Sequence, residues 1–374
     1  MRAGTLGAAS PRGWGSSTYP HRSTRGVPVN TRREGEASNM NARRKILVTA
    51  IRATGLVIPT NAAERALAYI RTETERGMLA DEIERFRAEL NAISAGFEVH
   101  PAETVMTAVY GLWANLDAVG EARSNPRIRE FKARTAYYAG TLSSTLGDPQ
   151  NGARWFDIGH GHANLSEVPG VKSIGHSREA IAGIYWGWRV NRVIADAELA
   201  LKNAHKAEEC GLAMMAWARA MSEARRDKSR VVKAVESAIG YAAQNPGEAP
   251  RPEAWWTHQA QMMAALALSR YGGMMGAVHE YINQAVNALP YSAVLLRTHA
   301  HLTLADAYAA DRQYGEATDV TLRTLKKVPR EHRQPVLLSR AYALHDRMRK
   351  RIGESYPVTT LRTGLRDLQG PNQV

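Results

Sequence analysis

Two pairs of histidines have a spacing that raises metal chemistry: His160-Gly161-His162 and His299-Ala300-His301. On a helix, positions i and i+2 point about 200° apart, so the two imidazoles of either pair face opposite ways. Zinc takes three or four ligands, each held by a supporting partner. The spacing therefore predicts no metal site, and no cofactor is expected. The chain has no His-Glu-x-x-His, no Walker A loop, no dinucleotide glycine fingerprint and no Gly-x-Ser-x-Gly elbow. Gly272-Gly273 joins two helical runs and reads as a turn, not a phosphate cradle. Acidic residues are spread over helix faces without an isolated catalytic pair. A non-enzymatic protein is expected.

Cys210 is the single cysteine. It excludes an intrachain disulfide and a multi-cysteine metal site, and it falls in a helical run as a small hydrophobe. Trp186/Trp188 and Trp255-Trp256 read either as binding anchors or as packing between helices. Met214-Met215, Met262-Met263 and Met274-Met275 read as core filler that also suits adaptable binding surfaces.

The elements that must position these residues are helices. No alternating strand pattern of useful length occurs. Helical runs are expected from Thr60 or Asn61 to Arg76, over Met78–Ala95 and from Pro101 to near Gly120. Helix pairs follow at 127–146 with 149–165, 176–187 with 190–206, 208–225 with 229–243, 253–271 with 274–289, and 291–310 with 313–327. Gly147-Asp148-Pro149, Val168-Pro169-Gly170, Asn245-Pro246-Gly247, Gly272-Gly273, Pro290 and Pro329 separate them. A last helix or pair fills 334–369.

Small residues recur twelve apart within these pairs: Gly140/Gly152, Gly183/Ala195, Ser222/Ala234, Ala265/Ala277 and Ala305/Ala317. The first members step forward by 43, 39, 43 and 40. Such a period signals stacked supersecondary units. Antiparallel helices approach most closely where side chains are small. One pair cannot bury its outer apolar face alone, so successive pairs stack. The expected fold is all-α, an α-solenoid of about five helix pairs over 126–330. A helical lead-in occupies 43–125, and C-terminal capping helices and a tail occupy 331–374.

The net charge of +13 is unevenly spread. Residues 1–45 carry +7, residues 322–374 carry +8, and the body between them carries −2. This argues against a basic stripe along the body, while the ends could meet phosphate or acidic partners. Residues 1–42 are rich in Gly, Ser, Arg and Pro and read as a disordered basic extension. Met40 is an alternative start, and whether the residues before it are translated stays open. Arg43-Arg44 and the run after it resemble a twin-arginine export signal, although Arg52 interrupts the apolar stretch. No run is long enough to span a membrane.

Leu304-Ala305, Tyr308, Ala317 and Pro329 resemble the tetratricopeptide repeat, as do Gly140 with Gly152 and Phe156, and Ala277 with Tyr281. The stretch His100 to Leu368 resembles the C-terminal sensor region of actinobacterial Cro/C1-type helix-turn-helix transcriptional regulators. That resemblance rests on AYYAGTLSSTLGD from Ala136 and on VPREHRQPVLLSRAYALHDRM from Val328. The helix-turn-helix domain of that family has no counterpart before residue 43. The tetratricopeptide resemblance implies a concave groove lined by the first helices. Its positions map onto Tyr137, Thr141, Ser144, Trp188, Arg219, Glu223, Arg226, Gln259, Arg270, His299 and Asp306. Arg219, Arg226 and Arg270 would suit a carboxylate. The implied function is a cytoplasmic regulatory or sensor module that binds a peptide or protein partner. A DNA-contacting regulator using its basic ends and an exported binding protein are the alternatives.

Overall fold

Helix starts follow the expected capping chemistry. Asn125 accepts a hydrogen bond from the Arg127 N–H at 2.8 Å, with Pro126 in the first turn. Asp148 accepts from Asn151 N–H at 3.0 Å ahead of Pro149. Asp227 accepts from Ser229 N–H at 2.9 Å. Each cap satisfies a backbone donor that the first helical turn leaves unpaired, and proline at that point loses nothing.

The computed structural model describes residues 80–97, 99–118, 125–244 and 257–369. All of them belong to the unit Glu75–Val374. The expected 60–76 helix, the 1–42 extension, Arg43-Arg44, the Asn245-Pro246-Gly247 break and Trp255-Trp256 lie outside the described residues.

The described residues are helices and their connections, with no strand among them. Helix α1 covers 80–97. Next come α2 (Ala102–Asp117), α3 (Pro126–Thr145), α4 (Pro149–Asn164), α5 (Val171–Tyr185), α6 (Val190–Lys202) and α7 (Ala207–Glu223). Then come α8 (Lys228–Ala243), α9 (Thr257–Leu268), α10 (Met275–Ala288), α11 (Val294–Ala310), α12 (Tyr314–Lys327), α13 (Pro335–Ile352) and α14 (Tyr356–Gln369).

These helices pack in adjacent pairs, α3 with α4 through α13 with α14. The first helices α3, α5, α7, α9, α11 and α13 also pack on one another in succession. This is an α-solenoid of helix pairs, as the sequence period implies. Phe86, Leu90, Val109, Leu112 and Leu116 of the lead-in join Ile128, Phe131 and Leu142 of α3 in one apolar cluster. Each such side chain, fully buried, contributes roughly 1.5–3 kcal/mol. Met215 and Met263 lie in the central core, with Met214, Met274 and Met275 packed against it, so core filling is their role here.

Two boundaries differ from expectation by four residues or more. Helix α5 starts at Val171 rather than 176, because Gly170 takes the left-handed turn (φ 86°) that ends the loop. Helix α6 stops at Lys202 rather than 206.

Gly140 and Gly152 lie against each other as their spacing implies, and the members of three further pairs are buried or partly buried. A Cβ on Gly140 would lie 3.1 Å from the Gly152 carbonyl oxygen, and one on Gly152 would lie 2.3 Å from Ser144 Oγ. Ser222 with Ala234 and Ala305 with Ala317 are buried. Ala265 is buried, and Ala277 packs partly buried against the same core. Gly183/Ala195 does not hold, since Ala195 is exposed. The Trp188 N–H bonds back to the Gly183 carbonyl at 2.9 Å. That turn lays the indole where a Gly183 Cβ would be, 2.7 Å from Cε3, with Val193 Cγ2 at 3.1 Å. Gly183 accommodates an indole, and Val193, Ala197 and Ala200 are the buried residues of α6.

The fold has one feature that the period does not announce. Helix α13 packs on α11 and α14 and also touches α3 and α5. The stack of first helices curls far enough for its last member to return to its beginning.

Candidate functional site

The return of α13 defines the polar centre of the molecule. Arg340 and Arg347 are seven residues apart on α13, and His299 and Asp306 are seven apart on α11. Seven residues are two helical turns, so each pair shares a face and the two faces meet. Arg340 Nη1 donates to His299 Nδ1 at 2.9 Å and to the His299 carbonyl at 3.1 Å. Its Nη2 donates to Thr303 Oγ1 at 3.2 Å and to Asp306 Oδ2 at 3.1 Å. Arg347 pairs with Asp306 Oδ1. Arg270, in the turn after α9, reaches Asp306 Oδ1 at 3.1 Å and Glu223 Oε1 at 2.6 Å.

The charges fix one another's states. Burial alone would raise Asp306, but Arg270, Arg347 and Arg340 hold its carboxyl far below the usual range. Burial likewise opposes ionisation of Glu223, and Arg270 overrides it. Arg270 stays firmly charged despite burial because Asp306 and Glu223 flank it. Burial, then Arg340 and Arg219, pushes His299 well below its ordinary value. A neutral His299 presents an Nδ1 lone pair to Arg340 and keeps its proton on Nε2.

Tyr185, at the end of α5, is half-buried beside this network. The Arg219 guanidinium is 4.7 Å from its ring centroid, that of Arg340 is 5.8 Å away, and the His299 ring is 5.5 Å away. Arg219 is buried, with Nη1 3.6 Å from Met263 Sδ.

Beside this network a small cleft opens to solvent. Arg225, Arg270, Arg347 and Arg351 line it with Asp306, Ser269, Tyr314, Met348, Ala309 and Ala310. Four guanidiniums thus face one carboxylate, which Arg270 and Arg347 already engage. Arg347 registers the imbalance: burial first, then the positive charge of Arg270, lowers it to about 10. Arg225 occupies the left-handed position ending α7 (φ 49°). There its N–H bonds to the Ser222 carbonyl and that of Arg226 to Met221, closing the last turn.

Of the eleven groove positions, Arg219, Glu223, Arg270, His299 and Asp306 come together here, facing α13 rather than an open groove. The others are elsewhere. Tyr137 is wholly buried. Thr141 bonds the Tyr137 carbonyl at 2.9 Å. Ser144 is buried beside Gly152. Trp188 carries Arg192 at 4.1 Å from its ring. Arg226 is exposed, and Gln259 is half-buried on α9. Arg226 therefore does not join Arg219 and Arg270. The partners not anticipated are Tyr185, Thr303, Arg340, Arg347 and Arg351. The matched seven-residue spacings on α11 and α13 are the sequence signal for them.

The histidine pairs divide as their spacing requires. His162 contacts Arg129 at 3.2 Å and the Trp113 ring. His160 turns to Glu179 and Tyr137. His299 is buried and His301 exposed.

Searches against protein-family models, curated proteins and solved structures find no match to this chain. No helix among the described residues is long and apolar enough to cross a membrane.

Proposed function

We propose that this chain is a non-enzymatic, tetratricopeptide-like regulatory module of the cytoplasm that binds an acidic segment of a peptide or protein partner at the arginine cleft. The observation that carries the reading is the arginine-rich lining of the cleft, where Arg225 and Arg351 stand beside the paired Arg270 and Arg347 and Asp306 is the one carboxylate. Guanidiniums take carboxylates through paired, charge-assisted hydrogen bonds. Arg225 and Arg351 are exposed at the rim, so an incoming carboxylate reaches them without disturbing the buried pairs. Resemblance to the sensor region of helix-turn-helix regulators supports a place in transcriptional or signalling control.

The test keeps Arg219 and Arg270 intact, because both belong to the buried interior. A fluorescein-labelled acidic decapeptide and its glutamine counterpart are titrated into the full chain and into Arg225→Ala/Arg351→Ala. Charge-assisted bonds contribute about 1.5–3 kcal/mol each, so the double variant is expected to lose at least about tenfold in affinity for the acidic peptide. Equal affinity for the two peptides, or no loss in the double variant, refutes the reading.

A further inference from the structure

The second cluster of interacting polar side chains lies at the other end of the array, where α4 meets α5. His176 and Glu179 are three residues apart on α5, on one helical face. His160 approaches them from α4. One ligand atom from each of the three lies within 4.8 Å of the others. His160 Nε2 is 2.8 Å from Glu179 Oε2, and the two imidazole rings lie nearly parallel with centroids 4.2 Å apart.

Three observations separate this cluster from an ordinary buried polar contact. His176 Nδ1 is buried with no hydrogen-bond partner. A buried polar atom left unpaired costs about 1–3 kcal/mol, so something is expected to compensate it. Next, the candidate ligands already have outer partners. The Tyr137 hydroxyl sits 3.2 Å from His160 Nδ1, and Arg192 Nη2 donates to Glu179 Oε1 at 2.8 Å. Those contacts leave His160 Nε2 and Glu179 Oε2 facing inward, which is the supporting arrangement metal ligands require. Finally, the close approach of α4 and α5 around Tyr137 is built in. A Cβ on Gly159 or Gly175 would fall 2.4 or 2.1 Å from the Tyr137 ring.

We propose that His160, His176 and Glu179 bind one divalent first-row transition ion, with Zn²⁺ the best fit. Two imidazoles and one carboxylate select such an ion over Ca²⁺ or Mg²⁺, which take oxygen ligands. Tetrahedral ligand bonds of about 2.0–2.2 Å put neighbouring donors about 3.3–3.6 Å apart. Closing the cluster to that spacing takes side-chain rotations that move a donor by about 1 Å and turn the two stacked rings so that their edges converge on the ion. The ion takes the place of the proton between His160 Nε2 and Glu179 Oε2. The ring proton then sits on Nδ1 and is donated to the Tyr137 oxygen. Glu179 keeps Arg192 on its other oxygen. The ion would tie the second helix of one repeat to the first helix of the next, stiffening that junction.

The experiment uses the tag-free full chain, stripped with chelator and dialysed. Zn²⁺ is titrated calorimetrically, bound metal is measured by mass spectrometry, and Co²⁺ is added to a second sample as a spectroscopic probe. One Zn²⁺ per chain, a thermal midpoint that rises with Zn²⁺ and a visible Co²⁺ d–d band are expected. His176→Gln and His160→Gln should weaken Zn²⁺ binding by at least about a hundredfold, going beyond the 10–100-fold effect of an outer-shell change. His162→Gln should bind as the parent does, because His162 faces Arg129 and Trp113. Less than one equivalent in the parent, no Co²⁺ band, full binding by His176→Gln or lost binding in His162→Gln would each overturn the assignment. The parent measurements decide the matter even where a variant fails to fold.

Discussion

Asp306→Asn tests the central network most directly. Asp306 is 6% exposed and shares its two oxygens among Arg270, Arg340 and Arg347. Asparagine keeps the shape and one acceptor but turns an NH₂ toward a guanidinium. Two carboxylates and three guanidiniums become one and three. Removing one partner of a buried ion pair costs about 3–5 kcal/mol, because the other charge is stranded. Arg347 has 29% of its side chain exposed and can swing to water, which limits the loss. Arg340, at 7%, cannot, so a loss near the lower end, about 3 kcal/mol, is expected. The pH dependence supplies a second check. The three arginines hold the native carboxyl far below its unfolded value of about 3.9. Its contribution is therefore present above about pH 4 and is lost as pH falls toward the native value. Urea unfolding of parent and variant, followed by far-UV circular dichroism from pH 7 to pH 3, measures both. A loss under about 1 kcal/mol at pH 7, as for an exposed pair, refutes the reasoning. So does a parent–variant difference that fails to shrink below pH 4.

Two further measurements bear on the interior. His299 is held neutral in the native state and takes a proton on unfolding below about pH 6.5, so it stabilises the fold above that pH and loses this contribution as pH falls. His299→Asn should remove up to about 1.4 kcal/mol per pH unit of acid sensitivity; stability–pH curves of parent and variant that run parallel from pH 6.5 to 5 would contradict it. Ala195→Leu, at an exposed position, should change stability by less than about 0.5 kcal/mol, whereas Ala305→Leu, at a wholly buried one, should cost about 1–3 kcal/mol. Equal thermal shifts for the two would show the α5–α6 register to be wrong.

The helices and their pairing were legible because each is bounded by local chemistry. Asn125-Pro126, Asp148-Pro149 and Gly170 act within a turn of themselves, and such signals survive in a sequence. Ala195 misled because the twelve-residue count presumes one loop geometry, and Trp188 folding onto Gly183 changes it. The groove residues were half legible. Arg219 and Glu223 on α7, Arg270 in the turn after α9, and His299 and Asp306 on α11 belong to successive first-helix positions of the period. The return of α13 was not legible, because it depends on small rotations summed over every repeat. His176 and Glu179 escaped for a related reason. Their partner, His160, lies across a junction between repeats, and the spacing argument compared it only with His162.

The charge map changes meaning once α13 is in place. By sequence, the +8 of residues 322–374 looks like a basic end beside a body of −2. In the fold, Arg340 and Arg347 from that end turn inward to Asp306. The two carboxylates of the interior, Glu223 and Asp306, are thereby committed to arginines from the array and from its last helix. A positive residue is left over at the rim, at Arg225 and Arg351. The segment that fills the concave face thus also sets the sign of the cleft beside it. A ligand for that cleft need not compete with α13 for Asp306. It has only to supply the negative charge that the interior lacks.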